Sequence, residues 1–416
     1  MSLQRQVLAL DNLWFDDFWT AISRLAPDQR LLVLGGRGSR QSMLALSWDE
    51  VPWSDFLQQS ASVVPRVSGE GWTTGHLAIG CYDENEVESQ LHSRAFRVKR
   101  SLIIDHRDRR AEICQDFDWA SCRQQVLFPP IRAQIHSVWE RLPQWRSTWT
   151  DAMYQDAVRG ALEEIRRGRY YQINLLRYWF SDDPISRRQW LAQLTKMGGP
   201  FSAYIEIPDL QMVSFSPERF FRVTTDAKGS WIETEPIKGT RPVSTDPELD
   251  RQQKAALLAS EKDAAELNMI VDLLRNDLHK VCRPSSVKVL DPGSLQSFSN
   301  VHHRVARIQG LLQNGVTMGS LMRALCPGGS ITGAPKHEVM QAIREKELRP
   351  RELFMGNILY KDAWTGRLDS SILIRTAVRK HRWEFAAGSG LVIHSEPAEE
   401  LAEILTKARV LLGEFV

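Results

Sequence analysis

Tyr170-Tyr171-Gln172-Ile173-Asn174-Leu175-Leu176 is the stretch that decides the fold class, because it is rich in strand-forming residues and alternates faces. The helix predicted before it, Asp151 to Arg167, places Tyr154, Ala157, Leu162 and Ile165 near helical period. After it come four more short strands: Phe201 to Ile205, Gln211 to Ser214, Arg219 to Thr224 and Trp231 to Glu233. A helix is then predicted over roughly Leu257 to Leu278, and a strand pair that includes His302 to Ile308. A helix beginning near Pro335, a strand at Ile372 to Ala377 and a final helix from Pro397 to Leu412 complete the reading. Strands joined by tight turns, with helices in separate blocks, predict α+β rather than a doubly wound α/β sheet.

Composition narrows the function classes. The chain has 416 residues, 43% hydrophobic and 25% charged, which is ordinary for a globular protein. Its 53 basic and 51 acidic side chains leave a net charge of +2, giving no electrostatic case for nucleic acid or an acidic membrane. The five cysteines show no C-x-x-C spacing, which argues against zinc and a disulfide framework. No signal peptide or bilayer-length apolar stretch is read, so a cytoplasmic location is expected. Nine of the fourteen tryptophans precede residue 150, while the dense Gly, Glu and Lys motifs follow it. A division into 1–148 and 149–416 follows from that shift.

Two helices carry paired acids. Asp263 and Glu266 extend the stripe formed by Leu267, Ile270, Val271, Leu274 and Leu278. The alternative reading is N-terminal capping, with Ser260 followed by Asp263. In the last helix, Glu400, Glu403 and Lys407 border the stripe of Leu401, Ile404, Ala408 and Leu411. An ordinary Glu403–Lys407 surface pair would be worth only roughly 0.2–0.5 kcal/mol. Taken together, the acids suit a magnesium ion that keeps waters and bridges to an anionic ligand.

Glycine-rich segments offer a second class of site. Pro327-Gly328-Gly329-Ser330-Ile331-Thr332-Gly333-Ala334-Pro335-Lys336 looks toward anions but is not a phosphate loop, since Ala-Pro-Lys follows Gly333. Gly388-Ser389-Gly390 alone reads as a strand-end turn. Alternation through the 372–377 strand puts Arg375 on the face of Leu373, where it either forks onto a carboxylate or stands in water at a sheet edge.

These segments, together with Ser216-Pro217-Glu218-Arg219-Phe220, Pro236-Ile237-Lys238-Gly239-Thr240 and Glu266 through Leu278, resemble the chorismate-utilising enzymes. That family includes anthranilate, aminodeoxychorismate, isochorismate and salicylate synthases. The resemblance is strong over about 150–416 and weaker before it, at Gly71-Trp72, Gly80 to Asp83 and Leu102 to His106. It implies two large, mainly antiparallel sheets packed as a sandwich, with helices outside and the active site between. It further implies Mg2+ held by Glu266 and Glu403, with Asp263 and Glu400 behind them. By the same matching, Arg375 and Lys407 receive substrate carboxylates, and Gly239, Thr240, Gly388, Ser389 and Gly390 frame the ring. Glu218 is the implied general acid, and His303 matches a histidine near the ring.

Two positions choose a branch. Members that add water carry a lysine base where this chain has Gln172, so Gln172 resembles the ammonia-using members. Anthranilate synthases carry Ala where this chain has Lys238, and a lysine there resembles the members that make aminodeoxychorismate. A desolvated amine could attack the ring as Glu218 protonates the departing hydroxyl; the alternative is a solvated loop lysine. The sequence departs from the family at Arg304, Ala306 and Leu359, and Leu31 to Gly36 lacks a motif tied to tryptophan feedback. No Gly-x-Cys-x-Gly elbow surrounds any cysteine, so ammonia is expected from a separate glutamine amidotransferase subunit. The alternatives are anthranilate synthesis, another chorismate amination, or a non-catalytic chorismate-binding paralogue.

Overall fold

The computed structural model describes residues 5–8, 31–35, 41–59, 61, 75–80, 93–106, 108–114, 142–297, 301–362 and 367–412. Two large sheets dominate, and every pairing among the described residues is antiparallel. The first runs, neighbour to neighbour, through Arg5–Leu8 (β1), Arg110–Cys114 (β6), Arg94–Asp105 (β5), Gln41–Val51 (β3) and Leu31–Leu34 (β2). It continues through Phe201–Ile207 (β9), Leu210–Ser216 (β10), Thr376–Arg379 (β19), Trp383–Leu391 (β20) and Gln172–Ser181 (β8). Two short strands, Arg146–Ser147 (β7) and Gly333–Ala334 (β16), flank the far edge of β8.

The second sheet begins where β5 also pairs with Gly75–Gly80 (β4), then passes through Asn357–Asp362 (β17), Leu368–Ile372 (β18) and Arg219–Asp226 (β11). Gly229–Thr234 (β12) follows, and β12 shares one edge of Val301–Leu311 (β15) with Ile237–Pro242 (β13). Lys288–Ser297 (β14) lies on the other edge of β15. Strands from both sides of residue 148 therefore share hydrogen-bonded edges, at β2–β9 and β4–β17.

Eight helices are described: Trp53–Gln58 (α1), Asp151–Arg166 (α2), Arg187–Met197 (α3), Pro247–Ala259 (α4), Glu261–His279 (α5), Met318–Leu325 (α6), Lys336–Glu347 (α7) and Pro397–Leu412 (α8). Their boundaries follow local chemistry. Thr150 caps α2 by accepting from Met153 N, Ser186 and Gln189 form a reciprocal capping box on α3, and Asp246 caps α4. Helix α2 buries Tyr154, Val158, Ala161, Leu162 and Ile165, a 3–4 residue repeat. Helix α8 packs on β20 and α2, α7 covers β8, and α5 lies along β13, β14 and β15.

Four expectations change in detail. The helix expected over 257–278 is two helices, because Ser260 ends α4 with extended backbone and caps α5. Lys238 does not stand in a loop: β13 continues pairing past Gly239, whose φ of 73° makes a bulge between Lys238 and Thr240. Gly388-Ser389-Gly390 lies within β20, opposite Leu176, Leu175 and Asn174, rather than at a strand-end turn. The strand expected over 372–377 breaks, ending at Ile372 and resuming at Thr376, because the chain changes sheets there. The family-like segment around Gly71-Trp72 and Cys81 to Asp83 lies outside the described residues.

Candidate active site

Two crossings between the sheets place the first pair of charges. The chain leaves β10 for β11 through Pro217-Glu218, and leaves β18 for β19 through Leu373-Ile374-Arg375. The crossings run side by side: Phe215 N donates to the Arg375 carbonyl at 3.0 Å, and Ile372 N to the Glu218 carbonyl at 3.3 Å. Arg375 has a φ of 50°, a conformation that costs a non-glycine residue energy and recurs at functional sites. The face alternation read through 373–375 therefore does not hold. The Arg375 guanidinium is half-buried, and burial lowers its pKa while Glu218 opposes that shift. Glu218 is 8% exposed. Burial pushes its carboxyl up to about 7, against the pull of Lys238, a hydrogen bond from Ser330, and the charges of Lys407 and Arg375.

Lys238 bridges the gap between sheets. Its side chain, 17% exposed, places Nζ 3.7 Å from Glu266 Oε2. The same Nζ lies 3.5 Å from the point where a Cβ on Gly390 would sit, and Gln172 Nε2 is 2.9 Å from that point. At Gly388 a Cβ would stand 2.5 Å from Leu176 Cδ2 and 2.6 Å from the Leu175 carbonyl. The two glycines thus let β20 approach β8 and Lys238 more closely than a side chain would allow. On β15, His303 faces Thr240: Nδ1 lies 3.0 Å from Thr240 Oγ1 and 3.4 Å from the Gly239 carbonyl. Burial drives its imidazole down to about 4, so it is neutral at neutral pH.

The four acids approach from two helices. Asp263 N donates to Ser260 Oγ at 3.2 Å, so the cap is made by Ser260 while the Asp263 carboxylate meets Arg241 Nη2 at 3.4 Å. Burial raises the Glu266 carboxyl, with Glu403 and Asp263 adding to the rise and Lys238 and Lys262 opposing it. Burial would raise Glu403 as well, but Lys407 holds it below the usual carboxylate range. Lys407 Nζ lies 2.6 Å from Glu403 Oε1 and donates to the Gly388 carbonyl at 2.9 Å. The expected i,i+4 pair is present, and its lysine also reaches the glycine strand. Glu400 is 3% exposed and its Oε2 has no hydrogen-bond partner.

Among the described residues no three His, Cys, Asp or Glu side chains converge as a ready-made metal site. Magnesium does not require one, since it is commonly held by one or two carboxylates together with waters and ligand oxygens. Mutually repelling Glu266, Glu403 and Asp263, with an unpaired buried oxygen on Glu400, have the donor chemistry such an ion would neutralise.

The geometry gathers Gln172, Glu218, Lys238, Gly239, Thr240, Glu266, His303, Arg375, Gly388, Gly390, Glu403 and Lys407 around the inter-sheet gap. Sequence reasoning missed Ser330, which bonds Glu218, and Tyr154, whose hydroxyl is 3.0 Å from Ser389 Oγ. It also missed Asn174, although its place two residues beyond Gln172 puts both side chains on one face of β8.

A family model described as chorismate binding enzyme matches residues 70–413. The chain belongs to the chorismate-binding enzyme family. Among its relatives, aminodeoxychorismate synthase component 1 of Salmonella typhimurium is 35% identical over 352 residues, covering 84% of this chain and 72% of that one. An anthranilate synthase component 1 of Haloarcula marismortui is 37% identical over 274 residues, covering 65% and 54%. The solved structure of the menaquinone-specific isochorismate synthase from Escherichia coli superposes with a TM-score of 0.75 at 16% identity, covering 99% of this chain and 95% of that one. That likeness establishes the shared two-sheet fold, and the protein is a chorismate-utilising enzyme of α+β architecture. No described helix is long and apolar enough to cross a membrane.

Proposed function

We propose that this protein is the ring-aminating component that converts chorismate and ammonia to 4-amino-4-deoxychorismate, the precursor of 4-aminobenzoate and folate. The observation that carries this reading is the meeting of Lys238 Nζ and the Gln172 amide at the side-chain-free backbone of Gly390. A water nucleophile needs a base, and an amide is none. Ammonia attacks through its own lone pair. The similarity to aminodeoxychorismate synthase component 1 over 84% of the chain supports the same choice.

In this mechanism Arg375 and Lys407 hold the substrate carboxylates, and the backbone of Gly239, Thr240 and Gly388-Ser389-Gly390 frames the ring. Glu218, whose carboxyl burial raises to about 7, gives its proton to the departing hydroxyl. As that C–O bond breaks, Lys238 Nζ forms a C–N bond to the ring and water leaves. Ammonia then bonds to the carbon that lost oxygen, the ring–Nζ bond breaks toward Lys238, and the Glu218 carboxylate takes the surplus proton. His303, neutral and bonded at Nδ1, shapes the ring side of the site. A magnesium ion held by Glu266 and Glu403, with Asp263 and Glu400 behind them, would anchor a substrate carboxylate and offset the clustered negative charge.

The component name of the relatives supports a partner, which we assign as a glutamine amidotransferase subunit that supplies ammonia in the cytoplasm. Residues 149–416 carry the catalytic groups named above, and the described strands β2 and β4 before residue 148 extend their sheets. The test incubates the purified chain with chorismate, magnesium chloride and ammonium chloride and reads products by mass spectrometry. Aminodeoxychorismate is expected, lost on chelation, and reduced at least about a thousandfold by Lys238→Ala. Unchanged amination by Lys238→Ala would remove the covalent role, and aromatic anthranilate from the chain alone would replace this reading with the anthranilate one.

A further inference from the structure

Strand β8 carries two amide side chains that the protein itself leaves unsatisfied. Gln172 and Asn174, two residues apart, share one face of the strand and are 1% and 6% exposed. Neither Nε2 nor Oε1 of Gln172, nor Oδ1 of Asn174, has a hydrogen-bond partner. Buried polar atoms are almost always paired, so three orphans side by side point to something that binds there.

A loose strand does not explain them. Asn174 N donates to the Thr332 carbonyl at 2.7 Å, and Arg351 Nη2 donates to the Asn174 carbonyl at 2.7 Å. Arg351 is fixed in turn by Glu347 at 2.6 Å, with both side chains essentially buried, and Glu347 accepts from Leu176 N at 2.9 Å. The backbone is pinned on both sides, and the open side-chain oxygen is a settled feature of the strand. Opposite it stand the two glycines of β20. A Cβ on Gly388 would lie 3.1 Å from Asn174 Oδ1, and one on Gly390 would lie 2.9 Å from Gln172 Nε2 and 3.5 Å from Lys238 Nζ. The result is a close-set cluster of glycine backbone, two amides and the lysine, with the three unpaired amide atoms turned toward it.

We propose that Asn174 and Gln172 form the receiving site for the attacking ammonia, with Asn174 Oδ1 as its fixed hydrogen-bond acceptor; this rests on the ring-amination reading above. Carbonyl oxygens take the N–H bonds of ammonia and leave its lone pair free. They repel carboxylates, so the anionic ends of chorismate belong at Arg375 and Lys407 instead. From this site the ammonia nitrogen bonds to the ring carbon while the ring–Nζ bond breaks and its electron pair returns to Lys238. The proton lost from the new ammonium goes to the Glu218 carboxylate, restoring the acid for the next turnover.

Steady-state kinetics with ammonium chloride as nitrogen source test this on the wild-type, Asn174→Leu and Asn174→Asp chains. Asn174→Leu is expected to raise KM for ammonium at least tenfold and to keep KM for chorismate within twofold. It should also melt no lower than wild type, because it removes an unpaired buried acceptor at similar volume. Asn174→Asp, which keeps an oxygen there, should hold KM for ammonium closer to wild type than the leucine variant does. A raised KM for chorismate with KM for ammonium unchanged would overturn the proposal, as would a lowered melting temperature for Asn174→Leu, which would mark a structural amide. If wild type aminates and Asn174→Leu matches it, this inference alone fails. If wild type forms no aminated product at any ammonium concentration, the ring-amination reading fails and takes this one with it.

Discussion

Replacing Glu218 by glutamine should make the protein more stable and nearly inactive, and the stability gain should depend on pH. Burial raises the Glu218 carboxyl from 4.5 to about 7. The folded state therefore holds this proton through a range in which the unfolded chain has released it. Stability from this group is complete below pH 4.5, falls as pH rises toward 7, and is flat above. At 1.36 kcal/mol per unit, the loss by pH 8.5 is about 3 kcal/mol. Glutamine cannot ionise and keeps the shape, so Glu218→Gln should exceed wild type in urea unfolding by less than about 1 kcal/mol at pH 5 and by about 3 kcal/mol at pH 8.5. Activity should respond oppositely. Loss of a general acid costs about 100- to 10,000-fold, and wild-type kcat/KM for chorismate, at constant free ammonia, should decline tenfold per unit above about pH 7. A stability difference that does not change between pH 5 and 8.5 would falsify the assignment of Glu218 as a carboxyl held neutral by burial.

Gly390→Ala should raise KM for chorismate at least about tenfold with little change in melting temperature, because its methyl would meet the movable ends of Gln172 and Lys238 rather than backbone. Arg351→Met leaves Glu347 buried without its cation, so urea unfolding should show a loss of about 3–5 kcal/mol, most of it recovered by Glu347→Gln in the same chain. His303, with burial lowering its imidazole to about 4, should show no NMR titration between pH 5.5 and 8. A midpoint near 6.5 for that ring would mean it faces water.

Much of this molecule was legible in its sequence because two periodicities are local. Alternation marked β8 through β12 to within a few residues, and the 3–4 repeat of α8 set both its ends. Carboxylates beside such a repeat were readable as neighbours of the core, which is where Asp263, Glu266 and Glu400 lie. The rest needed contacts that no local pattern encodes. Residues 373–375 alternate like a strand, yet the chain turns there to change sheets, so the placing of Arg375 beside Glu218 was hidden. The bulge at Gly239 depends on pairing with β15, more than sixty residues away in the chain. Asn174 looked like one polar residue in a buried strand. Only the glycines across from it and the lack of a bonding partner give its oxygen meaning.

The sharing of sheet edges across residue 148 also bears on how the chain is made. Strand β4 finds its edge partner in β17, with Gly80 opposite Asn357. At about 5–20 residues per second, the roughly 280 residues between them take on the order of tens of seconds to synthesise. During that interval β4 has an open edge on its β17 side, and β2 waits likewise for β9. Strand β8 waits in the same way for β20, so the nascent chain carries open strand edges until its last strand has emerged.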